Sequence, residues 1–253
     1  MKLIKNKHER QAMLVVGRKL ASLFSQISFS YLIGKNTYDI DLYIADLMYK
    51  YGLKSCCKGY KKYPGYSCIS VNNELVHGVP SLEKIIKETD KVTVDICVSY
   101  NNFCADAART YAFFENNSLC KAMHECANNA LNAGINEFKS YNTIKSISRA
   151  IEKVINNAGY DVVRDFCGHG IGRLMHEDPY VPNYDDVEDR NDQKIYVGMA
   201  LAIEPMFCQY SSTLVIDEKD GWTAFTKDGG LAMHVEDTVL LDDTGVVITT
   251  RLQ

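Results

Sequence analysis

The segment VTVDICVSYNNFCADAART sets Asp95 and Asp106 eleven positions apart, one on each arm of an apparent hairpin turning at Tyr100-Asn101-Asn102. A two-residue loop at Tyr100-Asn101 would set the two aspartates directly opposite one another, with Cβ atoms ~5 Å apart. A loop at Asn101-Asn102 would make them diagonal neighbours instead, ~7–8 Å apart. Two carboxylates held between otherwise apolar strands repel and lose hydration, so they need a proton, a basic partner or a cation. A divalent metal is the strongest remedy. The ordinary alternative is an exposed hairpin whose acids are solvated.

FCGHGIGRLMHEDP (166–179) brings two histidines, His169 and His176, seven positions apart, which a regular strand would point to opposite faces. Gly168, Gly170 and Gly172 allow bends and close approaches that can carry both rings to one cleft. Either ring alone is more often a satisfied core or surface residue than a catalytic one. Glu204 ends the apolar run ALAIEP, and Glu236 interrupts AMHVEDTVLL. A glutamate in such a run is rarely buried unpaired, and the wet face of an edge strand is the plain alternative. Alternation does not choose between Glu236 and Asp237, since one must point the other way. If Asp95, Asp106, Glu204 and Glu236 converge with a neutral His169, four negative ligands balance two divalent cations. Oxygen-rich ligation with one imidazole suits Mn, Fe(II), Co or Zn and leaves the choice open. Two such ions ~3.5–4 Å apart can acidify a shared water and polarise a carbonyl.

These groups need a scaffold. Met13, Val16, Leu20, Leu23, Phe24 and Ile27 recur at helical steps, predicting an amphipathic helix over roughly 6–29. Thr37 can cap a second helix over 38–51 ended by Gly52, and further helices are expected at 118–138 and at 143–158, the last closed by Gly159. Strand-like segments occupy 67–71, 91–100, 103–114, 200–205, 212–217, 221–226 and 232–241. Adjacent, hairpin-linked strands of this kind point to an antiparallel α+β domain rather than a doubly wound parallel sheet. No composition break or strong repeat divides the chain, so one catalytic domain over 1–253 is expected.

With 28 Lys+Arg against 32 Asp+Glu, the net charge of -4 gives no global reason to bind nucleic acid or an acidic membrane. The N-terminus is locally basic through Lys2, Lys5, Lys7, Arg10, Arg18 and Lys19, an ordinary solvated helix face in the common case. Nine cysteines in no CxxC or finger spacing argue against a disulfide framework or a structural zinc site and fit a reducing cytosol. The opening lacks the apolar run of a signal peptide, and no stretch reaches membrane-spanning length, so a soluble, cytoplasmic protein is expected.

CISVNNELVHGVP (68–80), VTVDICVSYNNFCADAART, CGHGIGRLMHEDP, LAIEPMF and DGWTAFTKDGGLAMHVEDT together resemble the type I methionine aminopeptidases, of pita-bread fold, in the family's order and over essentially the whole chain. The resemblance implies a curved antiparallel sheet with helices on its outer face, and removal of the initiator methionine from nascent chains when the next residue is small. It implies two divalent ions: Asp106 and Glu236 bridging both, Asp95 serving the first, His169 and Glu204 the second. By the same likeness His77 contacts the scissile amide nitrogen, His176 donates to the carbonyl oxygen, and Glu204 carries the proton. The methionine pocket resembles Tyr60, Tyr63, Cys68 and Trp222, an aromatic, sulfur-tolerant slot, for which ordinary core is the bland alternative.

The chain departs from the family pattern at Phe166, Met175, Val76 and the string AMHVEDT, which adds His234 and loses a histidine after Glu236. Only 28 positions separate His176 from Glu204, leaving no room for the type II insertion; without a zinc-binding extension or transit-like leader, the short bacterial or organellar form is expected. The expected partners are nascent N-termini, with a basic first helix available for transient ribosome contact and the chain acting as a monomer. Three alternatives compete: a proline-specific aminopeptidase or prolidase on the same fold, a binding protein on this scaffold that has lost catalysis, and a redox pair between Cys97 and Cys104 across the hairpin.

Overall fold

In the computed structural model, residues 3–185 and 192–252 are described; Lys2 of the basic run lies outside them. The first helix is Lys7–Phe24, shorter than the periodicity suggests. Asn6 caps it in a closed capping box with Glu9. The apolar stripe continues to Ile27, but Ser28 caps a separate turn, Phe29–Leu32, so one period spans two elements. The second helix, Thr37–Tyr51, is capped by Asn36 rather than Thr37, whose hydroxyl instead bonds the Ser81 backbone, and Gly52 ends it at φ 68°. Ser118–Glu137, capped by Asn117, and Ile144–Asn157 follow and pack on one another.

Every pairing among the described strands is antiparallel. Seven strands of the large sheet lie in the order Lys54–Ser55, Val92–Tyr100, Phe103–Tyr111, Glu236–Asp242, Ala200–Ile203, Gly168–Gly170, Glu177–Val181. Cys68–Val71 also pairs with Val92–Tyr100, and Gly245–Ile248 with Glu236–Asp242. Two smaller three-stranded sheets flank it, one from 232–234, 206–208 and 161–162, the other from 214–216, 224–226 and 74–76.

Three expectations are trimmed. The 103–114 strand stops at Tyr111; the 212–217 and 221–226 segments pair only over Leu214–Ile216 and Ala224–Thr226. AMHVEDTVLL is not one strand: Ala232–His234 pairs with Met206–Cys208 and Glu236–Asp242 joins the large sheet, with Val235 between them.

The Lys7–Phe24 and Thr37–Tyr51 helices cover an apolar layer that includes Val94, Ile96, Val98, Ala105 and Ala107. Ser118–Glu137 and Ile144–Asn157 cover a second layer with Leu201, Ile203, Val239 and Leu241. Asp95, Cys97 and Asp106 alternate with the residues of the first layer, so the pleat turns them away from the helices and into a cleft.

Candidate metal centre and cleft

The hairpin register is set by its turn. Asn101 and Asn102 both lie in the left-handed region, at φ 49° and 62°, so the two-residue loop is Asn101-Asn102, with Tyr100 paired to Phe103. Asp95 therefore faces Ala108, and Cys97 faces Asp106: the aspartates are diagonal neighbours on one face, not opposed. Cys97 and Cys104 are likewise unopposed, and all nine cysteines are free. Glu236 also pairs with Ala108, from the other side. Cys68, Asp95, Ala108 and Glu236 thus form one row across four strands, with Asp106 one step along it.

This register answers the choice between Glu236 and Asp237. Glu236 points into the cleft, whereas Asp237 is spent on the far side, held by Arg109 Nη2 at 2.6 Å, Arg251 at 2.7 Å and the Thr250 hydroxyl at 2.7 Å. Thr238 Oγ1 donates to the Asp106 carbonyl (2.8 Å) and accepts from its N–H (2.9 Å), continuing the pairing where the backbone ladder ends.

His169 enters from the Gly168–Gly170 strand, which pairs with both Ala200–Ile203 and Glu177–Val181. The glycines serve close approach: a Cβ at Gly168 would lie 2.5 Å from the Ala202 carbonyl oxygen, and one at Gly170 2.1 Å from that of Asp178. A register irregularity after His169 and the loop beyond it carry His176 round, so the two rings meet edge-to-face with centroids 4.5 Å apart. Buried Glu177 shapes that loop, accepting from the Arg173 N–H (2.8 Å) and pairing with buried Lys5 (3.1 Å).

Each residue singled out from the sequence lines one cavity of about 420 Å³: the acids Asp95, Asp106, Glu204 and Glu236, the rings His77, His169 and His176, and Tyr60, Tyr63, Cys68 and Trp222. Phe166, Met175, Val76 and His234 line it too, whereas Asp237, in place of the histidine lost after Glu236, lies on the far side. Cys57, which the sequence reading misses, and Cys97, read there only as a redox partner of Cys104, complete its sulfur-rich side; a cysteine in an apolar run carries no signal that separates core from cleft.

The acids are short of partners. Asp106 Oδ1 and Glu236 Oε1 are buried and accept no hydrogen bond, and Asp106, His169 and Glu236 each present a ligand atom within 4.8 Å of the others. Burial, chiefly, holds Asp95, Glu204 and Glu236 well above the usual carboxyl range; Asp106 is pushed up to about 7, by burial first and the Glu204 charge next. Burial drives His169 down to about 3 and His77 to about 4, and it lowers His176. The approaches of His169 Nε2 to Glu204 (3.5 Å) and Asp106 (4.0 Å) are therefore not ion pairs, because the ring is neutral. His169 Nδ1 donates to the Gly170 carbonyl at 3.0 Å, which leaves the Nε2 lone pair aimed at the carboxylates.

Two donors bound to one ion at ~2.1 Å, subtending 90–110°, are ~3.0–3.4 Å apart. The His169–Glu204 separation lies close to that range, and the orphaned oxygens supply the negative charge a divalent pair needs. The residues present fit the metal.

A buried acid-and-imidazole centre opening on a cleft is the architecture of a metal-dependent hydrolase, and the chain belongs to metallopeptidase family M24, whose sequence profile matches residues 7–243. The curled antiparallel sheet with its helices is the pita-bread fold. Within the family its likeness is to methionine aminopeptidases. That of Clostridium acetobutylicum is 35% identical over 250 residues, covering 99% of each chain, and methionine aminopeptidase 1 of Bacillus subtilis is 33% identical with full coverage of both. The solved methionine aminopeptidase of Thermotoga maritima superposes with a TM-score of 0.93 at 34% identity, covering 100% of both chains. Among the described residues no helix is long and apolar enough to cross a membrane.

Proposed function

We propose that this protein removes the N-terminal methionine from polypeptides whose second residue is small, by attack of an activated water on the first peptide bond. The observation that carries the reading is the buried cluster of carboxylates, with Asp106 Oδ1 and Glu236 Oε1 accepting no hydrogen bond, opening on a slot of aromatic and sulfur side chains. In this reading two divalent ions would be held by these side chains, with Asp106 and Glu236 as shared ligands, Asp95 serving one ion and His169 and Glu204 the other. Ions bound there lower the pKa of a water and polarise the scissile carbonyl.

Glu204 takes the proton of the attacking water and delivers it to the departing amine. Tyr60 Oη lies 3.4 Å from His176 Nδ1; donating there, it leaves the Nε2–H of a neutral ring free to meet the carbonyl oxygen as charge develops. His77 sits at φ 59°, edge-on to Phe166 at 5.3 Å, where it can contact the amide nitrogen. Tyr63 stands edge-to-face with Trp222 at 5.2 Å beside Cys68, forming an unbranched slot suited to a thioether. The physiological substrates are nascent N-termini in the cytoplasm, met by a single-domain monomer whose basic first helix makes transient ribosome contact.

The test is hydrolysis across a Met-X-Ser peptide panel with Mn, Fe(II), Co and Zn. Expected is methionine release before Ala, Gly or Ser, lost on chelation and restored by metal. Release of residues ahead of proline, with methionine untouched, overturns the substrate assignment.

A further inference from the structure

His234 is a buried imidazole that the proposed reaction does not use. It ends the short Ala232–His234 strand, is 1% exposed and lines the same cavity as the acids. Its backbone is fixed by pairing to Met206 and by the Thr110 hydroxyl, which donates to its carbonyl at 2.8 Å. Its ring is not: neither Nδ1 nor Nε2 has a hydrogen-bond partner. A fully buried imidazole normally satisfies at least one nitrogen, so two unsatisfied ones in a cavity wall need an explanation.

The nearest acid identifies it. His234 Nε2 lies 3.4 Å from Glu204 Oε2, while the other oxygen of the same carboxylate, Oε1, lies 3.5 Å from His169 Nε2. Glu204 is thus flanked by two imidazole nitrogens at nearly equal separations. The first is at the upper end of the ~3.0–3.4 Å expected for adjacent donors on one ion and the second just beyond it, and both are longer than a hydrogen bond of ~2.9 Å.

We propose that His234 is a sixth protein ligand of the metal centre, adding a second imidazole to the ion that Glu204 holds. The inference rests on the two-metal reading above. Its chemical consequence is selectivity: each imidazole that joins an oxygen-rich site favours zinc, nickel or copper over manganese and magnesium.

The experiment loads the intact protein with zinc and counts imidazole ligands by X-ray absorption, alongside calorimetric affinities for zinc and manganese in the wild type and in His234→Gln. Expected are two imidazoles per pair of zinc ions in the wild type, falling to one in the variant, with zinc affinity reduced at least ~10-fold and manganese affinity by less than ~3-fold. The wild-type count needs no variant, so a misfolded His234→Gln leaves the test intact. One imidazole per ion pair in the wild type, or equal losses for zinc and manganese, overturns the proposal while leaving the two-metal centre standing. A protein that retains no divalent ion overturns both.

Discussion

Raising the pH of the metal-free protein from about 5.5 to about 8 should destabilise it, against the usual trend for proteins whose carboxylates are stabilised by folding. Asp106 illustrates the sign. Its pKa is 3.8 in the ordinary state and is pushed up to about 7 in the fold, so the folded chain binds this proton more tightly than the unfolded chain does. Stability is complete below 3.8 and is lost as pH rises through about 7, the total for this one group being about 4 kcal/mol. About half of that, ~2 kcal/mol, falls between pH 5.5 and 8, which in a domain of this size lowers Tm by ~4–8 °C. Asp95, Glu204 and Glu236 are shifted the same way and add to the fall. Because metal must displace these protons, loading at pH 7 should release more than one proton per centre, read by calorimetry in buffers of different ionisation enthalpy. Metal should also reverse the trend, since a ligand at about 100 times its Kd adds ~2.7 kcal/mol. A chelated protein whose Tm is flat or rises over this range, or metal binding without proton release, would show that the acids are not buried together as described.

Asp106→Asn removes a proposed bridging charge; metal content and turnover should both collapse, and survival of both in elemental analysis and peptide assay would reject the bridging role. His176→Ala should lower kcat by ~10²–10³ with a smaller change in KM, as for loss of one oxyanion donor. Lys5→Met strands the buried Glu177 carboxylate and should cost ~3–5 kcal/mol in urea unfolding; because Glu177 also holds the loop carrying His176, KM should rise in the folded fraction.

Much of this site is legible in the amino-acid sequence, and the reasons differ by residue. Asp95 and Asp106 read as a same-face pair because the strand period is two, but their exact pairing depends on which two residues form the turn. The Asn101-Asn102 dipeptide carries that information, since asparagine tolerates the left-handed backbone that a type I′ turn demands twice. Glu236 against Asp237 is not decidable locally, because the partners that occupy Asp237, Arg109 and Arg251, reach it only through folding. The break at Val235 is hidden because both strands are apolar and consecutive, although they belong to different sheets. The first two helix starts shift by a residue because Asn6 and Asn36 take the caps, while Ser28 begins a new turn inside what reads as one amphipathic period. The short strands Gly168–Gly170 and Met206–Cys208 have too few residues to show a period at all.

Ala108 stands between Asp95 and Glu236 in the row that crosses the sheet, carrying only a methyl group on the face from which the acids project. That small side chain is as much a specification of the centre as the ligands around it. A leucine there would leave every donor in the chain and fill the volume the ions need. Within this fold, then, a protein can be silenced without losing a single ligand, and an inventory of donors will misjudge such a chain unless the residue between them is read as well.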